Sequence, residues 1–389
     1  MLLRNCRLIP ELSGMCPLTL ADVEVADGKI KQIAPADPAR PMSGNEIDCG
    51  RHTLLPGLFD LHAHISLASA RETPEDGMNR LVRAMGWIGN YTKHGVTTIR
   101  DCGSTLRLGI AMREAVAKGI VKGPKILTSG YILGPQSMYQ LGRIMMMTMD
   151  IANTEDEFRF AARNQLALGA DFIKIYASAS ASQSIGREPL PILRREEIRA
   201  MVEVAEMAGT YVAAHAHSLS SIKLCMEEGV RSIEHATFID EPTIGQLETM
   251  QGVYLTPTLA VLAPPKGPVE NQAEAENKLR MLDICSSKIG MAYQAGLKLG
   301  FGTDLYNGNL GAFSQEFHLR QERCGMKNID ILLQATKYSA EIAGLAGVTG
   351  ELKPGLAADL ILVEGNPDQD ISVMDQRPLL VFQDGRQML

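Results

Sequence analysis

The sequence contains no Cys-x-x-Cys pair. Its seven cysteines (Cys6, Cys16, Cys49, Cys102, Cys225, Cys285 and Cys324) are scattered and odd in number. That is the pattern of reduced thiols, not of a disulfide framework or a structural zinc ribbon. Long apolar runs are missing too: no stretch approaches the roughly 18 to 20 residues that a membrane span requires. The N-terminal MLLRNCRLIPELSG, broken by Arg4, Asn5, Arg7 and Pro10, is too short and too polar for a signal peptide. A cytoplasmic protein with no membrane partner is the expectation. There is no basic stripe and no charged tail, and the formal net charge is -7. Nothing is available to neutralise phosphates, which excludes a nucleic-acid partner. What is present, 389 residues of which 45% are hydrophobic, suffices for one large domain and a smaller accessory one.

The two ends read as β-structure. VEVADGKIKQI carries two alternating runs around Asp27-Gly28, a hairpin signal, and ADLILVEGNP with PLLVFQDGRQM places a second Asp-Gly turn at 384–385. Residues 1–55 and 353–389 are therefore expected to pair into one small β-sandwich domain. Between them, at 56–352, apolar strand-like runs recur at 54–65, 95–103, 125–134, 172–178, 210–217, 231–236, 253–260 and 298–304. Helical patterns such as 196–209 and 220–229 separate most of them, each closed by a glycine suited to a helix C-cap, and another, 331–344, follows the last. Strand and helix alternating eight times predict an α/β protein of (β/α)8, TIM-barrel type.

Five of the eight histidines sit at the C-terminal ends of these strands: His62, His64, His215, His217 and His235. Barrel enzymes build their sites at that rim. Positions i and i+2 of a strand share a face, so each His-x-His can turn both rings inward, and imidazoles converging from different strands suit a divalent ion such as zinc. A lone rim histidine is more simply a satisfied core residue; five together are not. Asp304, ending GFGTD, can bind metal and act as general base. Its plainer role is a helix N-cap. Lys174 interrupts the apolar FIKIYAS. An ammonium is costly to bury there, and the neutral amine can add carbon dioxide to give a two-oxygen carbamate able to bridge two cations. A snorkelling lysine is the alternative. Tyr176 shares the face of Lys174 and can bind a substrate carboxylate or simply pack. Asp101 and Arg100 read as supporting groups. The Met-rich RIMMMTMD (143–150) reads as helix packing or as an adaptable lid. His52, His94 and His318 lie off the rim.

GLFDLHAHI, FIKIYAS, VAAHAHS, SIEHA and GFGTD, in that order, resemble the amidohydrolase superfamily, as does the tail ATKYSAEIAGL…GELKPGLAADLILVEGNP. The likeness runs over nearly the whole chain. The His-x-His plus Lys version is similar to the binuclear branch that includes Xaa-Pro dipeptidases (prolidase-like), arginine carboxypeptidases and ochratoxin-hydrolysing amidases. The resemblance implies two divalent metal ions, zinc by expectation. His62, His64 and Asp304 would hold one, His215 and His235 the other, and carboxylated Lys174 would bridge them beside a hydroxide nucleophile. It implies that His217 points at the scissile carbonyl oxygen and that Asp304 carries the proton to the leaving amine. Deaminases of the superfamily use one metal and a Glu shortly after the fifth-strand histidine, where this chain reads HAHSLSS. The loops 130–139 and 177–184 also depart from the dipeptidase pattern, and both border the substrate. The expected reaction is hydrolysis of a small N-acyl amino acid or dipeptide, with a cyclic amide, lactam or carbamate as the alternative substrate. A non-catalytic metal-binding scaffold is the reading of another class. Expected partners are the small-molecule amide substrate and further copies of the chain in a homo-oligomer.

Overall fold

The computed structural model describes residues 1–389 except 45, 68–75, 137–147, 182, 183, 185, 264–271 and 307–309. Two parallel sheets carry the centre of the chain. One has four strands, β1 (Leu58–His64), β2 (Val96–Asp101), β3 (Lys125–Thr128) and, on the far side of β1, a short one at Leu305–Tyr306. The other has six, in the order Met149–Ile151, Ile132–Gly134, β4 (Ile173–Tyr176), β5 (Val212–Ala216), β6 (Ser232–His235) and β7 (Tyr254–Thr256). Backbone hydrogen bonds also join the two sheets. Asp171 N donates to Thr128 O at 2.8 Å, Gly300 N to Leu255 O at 2.8 Å, Leu61 N to Phe301 O at 2.8 Å and Asp304 N to His62 O at 2.7 Å.

Alternation along these strands sorts the side chains. Ile99, Ile173, Ile175, Val212, Ala214 and Ile233 join the main apolar core with helix residues such as Phe158, Met201 and Ile222. The intervening positions carry His62, Arg100, Lys174, His215 and Glu234, all buried. The helices α1 (Glu155–Ala167), α2 (Arg195–Met207), α3 (Leu219–Glu227) and α4 (Gln272–Gln294) fall between strands. As the glycine pattern predicts, α2 and α3 are followed by Gly209 and Gly229 in the left-handed conformation, φ 69° and 77°. The run expected to be helical at 331–344 is so, with a π-helical turn at Gln334–Tyr338.

The expected third strand, 125–134, divides. Gly130 at φ 69° breaks the extension, so β3 pairs with β2 in one sheet while Ile132–Gly134 pairs with β4 in the other. Of the expected eighth strand, 298–304, Leu299 alone forms a bridge, to Leu255; the rest is held by the single hydrogen bonds above. Strands from both termini hydrogen-bond into one eight-stranded sheet, in which Thr53–Pro56 pairs antiparallel with Leu360–Val363 and in parallel with Leu2–Arg7. Seven of its strands follow one pairing order and Glu46–Asp48 pairs beside it with Leu2–Arg7, and the sheet has its own apolar cluster around Leu3, Val23, Ile30, Leu54, Leu360 and Phe382. Both Asp-Gly turns form as read: Asp27 and Gly28 have φ 51° and 76°, and Asp384 and Gly385 have φ 46° and 69°. Residues 143–147 of the Met-rich segment and 137–139 of the preceding loop lie outside the described residues. No helix among the described residues is long and apolar enough to cross a membrane.

Candidate active site

All eight site residues singled out from the sequence line one cavity of about 280 Å³: His62, His64, Lys174, Tyr176, His215, His217, His235 and Asp304. Ligand atoms of His62, His64 and Asp304 fall within 4.8 Å of one another, and so do those of His215, His217 and His235. Between them, Lys174 Nζ lies 3.2 Å from His62 Nε2. Asp304 Oδ1 lies 3.3 Å from His64 Nε2 and 3.6 Å from His62 Nε2. His217 is therefore as near to His215 and His235 as a shared ligand would be, beyond the carbonyl role expected of it, and its ring stacks on His235 at 4.5 Å. Tyr176 packs its ring 4.5 Å from that of His215.

The second nitrogen of each ring explains the orientation. His62 Nδ1 bonds Glu234 Oε2 at 2.8 Å, His64 Nδ1 bonds Gly103 O at 2.7 Å, His217 Nδ1 bonds Thr237 Oγ1 at 2.8 Å, and His235 Nδ1 bonds Thr258 Oγ1 at 2.7 Å. Against the Glu234 carboxylate and the Gly103 carbonyl, which can only accept, Nδ1 carries the proton and Nε2 is left as a fixed lone pair, the arrangement that supports metal ligation. His215 Nε2 and His235 Nε2 are buried without a hydrogen-bond partner. Buried polar atoms are normally satisfied, so this pair fits a divalent ion. Burial lowers the basicity of the rings, taking His62 to about 4 and His217 to about 3 and holding His215 and His235 well below the usual imidazole value. At neutral pH these four are uncharged, as ligation demands.

Beneath the histidines lies a group that sequence reasoning passed over. Glu234 is fully buried and accepts from Arg100 Nη2 at 2.6 Å and Ser232 Oγ at 2.5 Å, while holding His62. Burial pushes its carboxyl up, but Arg100 and His62 outweigh that and hold it at about 2. Arg100 in turn lies over the stacked rings of Phe172 and Tyr211, at 5.6 and 6.0 Å from their centroids. Strict alternation would send Glu234 and His235 to opposite faces of β6. They share one because His235 has φ 68° and Ala236 φ 50°, which ends the pleat. Asp304, at φ 57°, is turned in the same way. Backbone strain of this kind gathers at functional sites. The signal for Glu234 was its place beside His235 in SIEHA. Thr237 and Thr258 had none, since their roles depend on contacts between loops. Asp101, read as supporting, accepts from Ile65 N, Ser104 Oγ and Thr128 Oγ1 and so braces the end of β1.

Ochratoxinase of Aspergillus niger is 26% identical to this chain over 357 residues, covering 83% of this chain and 72% of that protein. A solved Xaa-Pro dipeptidase with methionine in its active site matches 99% of this chain and 98% of its own at 27% identity, TM-score 0.84. A prolidase solved with N-methylphosphonate-L-proline matches the same shares at 28% identity, TM-score 0.84. These neighbours share an amidohydrolase fold of TIM-barrel type. The amidohydrolase family model matches residues 53–388. The chain belongs to the amidohydrolase family and is a hydrolase of amide or peptide C–N bonds.

Proposed function

We propose that the chain cleaves the amide bond of a small N-acyl amino acid or dipeptide with the help of two divalent metal ions, zinc in our reading. His62, His64 and Asp304 would hold one and His215 and His235 the other, with Lys174, once its amine has added carbon dioxide and released a proton, supplying carbamate oxygens as further ligands. The observation that carries the reading is the pair of buried, unpartnered Nε2 atoms of His215 and His235 in the cavity that also holds His62, His64 and Asp304. The similarity to an ochratoxinase and to two prolidase-type structures supports the bond type. When bound, the ions supply Lewis acidity that polarises the substrate carbonyl and acidifies the attacking water.

The chain's own groups do the rest. Asp304 is ionised, because His62 and His64 beside it outweigh the effect of its burial and hold its carboxyl at about 2. It takes the proton from the attacking water and passes it to the leaving nitrogen. With Thr237 Oγ1 donating to Nδ1, His217 keeps its proton on Nε2 and donates it to the developing oxyanion, an interaction stronger in the transition state than in the ground state. Tyr176 closes one wall beside His215. In this reading the two central sheets close into a barrel through the hydrogen bonds Asp171 N to Thr128 O and Leu61 N to Phe301 O, and residues 1–55 and 353–389 form the small domain.

Elemental analysis and a substrate panel test it. Two equivalents of metal, loss of activity on N-acyl-proline or N-acyl-phenylalanine after chelation, and recovery with zinc are expected. A fully metallated protein that cleaves no acyl amino acid or dipeptide would remove this function. Full metal content in a His215→Ala/His235→Ala double variant would remove the ligand assignment.

A further inference from the structure

We infer that Lys278 binds the free carboxylate of the substrate, so that the chain selects N-acyl amino acids and dipeptides over their neutral amides; this rests on the hydrolase reading above. A free substrate carboxylate is fixed most strongly by a cationic donor at hydrogen-bond distance. Apart from histidine, the basic side chains among the described lining residues are Lys174 and Lys278. Lys174 is 1% exposed and lies against His62, which leaves Lys278 for the substrate.

Its position is built rather than incidental. Lys278 lies in the second turn of α4, and its side chain is 26% exposed. The preceding residue, Asn277, is 4% exposed, donates Nδ2 to Ala181 O at 2.9 Å and accepts from Arg280 Nη2 at 3.0 Å. The helix is thereby pinned to the segment after β4, where Ala181 also lines the cavity. Glu274, one turn earlier, lies 3.6 Å from Lys278 Nζ, an ion pair longer than a hydrogen bond. An ammonium has three donors, so a substrate carboxylate can join the pair at hydrogen-bond distance. Val261 and Leu262 supply an apolar wall in the same cavity. A volume of about 280 Å³ falls just below the usual range of ligand sites, roughly 300–1,000 Å³, and suits an amino-acid-sized leaving group.

The test compares wild type, Lys278→Met and Lys278→Arg on paired substrates, N-acyl-phenylalanine with its carboxamide and an Xaa-Pro dipeptide with its prolinamide. Wild type should favour the acids by about 10- to 100-fold in kcat/KM, the effect of one charge-assisted hydrogen bond. Lys278→Met should lose that factor on the acids through KM and leave the amides unchanged; Lys278→Arg should keep most of it. Calorimetric titration of the zinc-loaded protein with the same acids and amides should give the same order without turnover. An equal loss on acids and amides, or an unchanged acid KM in folded Lys278→Met, overturns the inference. Cleavage of acids and amides at equal rates by wild type also overturns it and leaves the hydrolase reading standing. A Lys278-dependent preference in titration without cleavage of either series does the reverse.

Discussion

At the scale of single residues, the site depends on one buried ionic stack: Arg100, Glu234, His62. Removing the charge from its middle member should be felt twice. In Glu234→Gln the Arg100 guanidinium is left unbalanced in the interior, and the loss of a partner from a fully buried pair costs about 3–5 kcal/mol. His62 also loses the carboxylate that fixes its ring, which should weaken zinc binding about 10- to 100-fold. Thermal melting and chelator competition measure the two effects separately. An unchanged zinc affinity in the folded variant would show that Glu234 does not orient His62. The histidines set a pH dependence as well. Burial holds the folded His62 ring at about 4, below the usual imidazole value of about 6.5, so the unfolded chain takes up its proton first as pH falls. The stability this shift contributes is fully present above 6.5 and is lost as pH drops toward 4. For His62 alone the loss between pH 7.5 and pH 5 is on the order of 2 kcal/mol, with His215, His217 and His235 adding to it. Urea unfolding of the metal-stripped protein at the two pH values should show the lower midpoint at pH 5; equal midpoints would contradict the shifts.

At the scale of elements, the segment 298–304 shows how a weak strand can still bring Asp304 to the candidate site. It touches its neighbours through a few hydrogen bonds and through glycines that let the backbone come close. A Cβ on Gly302 would lie 2.9 Å from His62 Cβ and 3.2 Å from His62 N, closer than real Cβ atoms pack. Gly302→Ala must therefore push this segment off β1, carrying Asp304 away from His62 and His64. A stability loss of about 1–3 kcal/mol is expected from the overpacking, with a fall in kcat of at least about 100-fold, since small misplacements of a reacting group are that costly. Wild-type kcat in the variant would mean that the approach of these two strands does not set the position of Asp304. The same elements explain what the sequence could and could not reveal. Period-two alternation was enough to turn His62, His64, His215 and His217 to one face. It could not foresee that Glu234 and His235 share theirs, because that depends on a positive φ at His235, for which a histidine gives no local signal. Nor could it foresee the break at Gly130, where a continuous apolar pattern hides a change of sheet.

At the scale of the whole molecule, the eightfold alternation and the ligand motifs made the barrel-type architecture legible. The pairing of the two termini was legible only as a tendency, since which strands meet is decided by contacts hundreds of residues apart. One such contact ties the terminal sheet to the centre. Asp359, with a side chain 0% exposed, accepts from Lys125 Nζ at 2.9 Å, from Thr349 Oγ1 at 2.8 Å and from Asp384 N at 3.0 Å. Lys125 opens β3, at the end opposite to Thr128 and the neighbouring Asp101 that braces β1. In barrel enzymes that N-terminal end serves stability while the other serves chemistry. Asp359→Ala should thus destabilise the fold by about 2–3 kcal/mol, less than for a fully buried pair because the partly exposed Lys125 can turn to water. It should leave kcat/KM of the folded fraction and the metal content unchanged. Melting temperature, elemental analysis and kinetics on one preparation check this. A large fall in kcat/KM at full metal occupancy would mean that the terminal sheet holds the catalytic end in register as well as the fold.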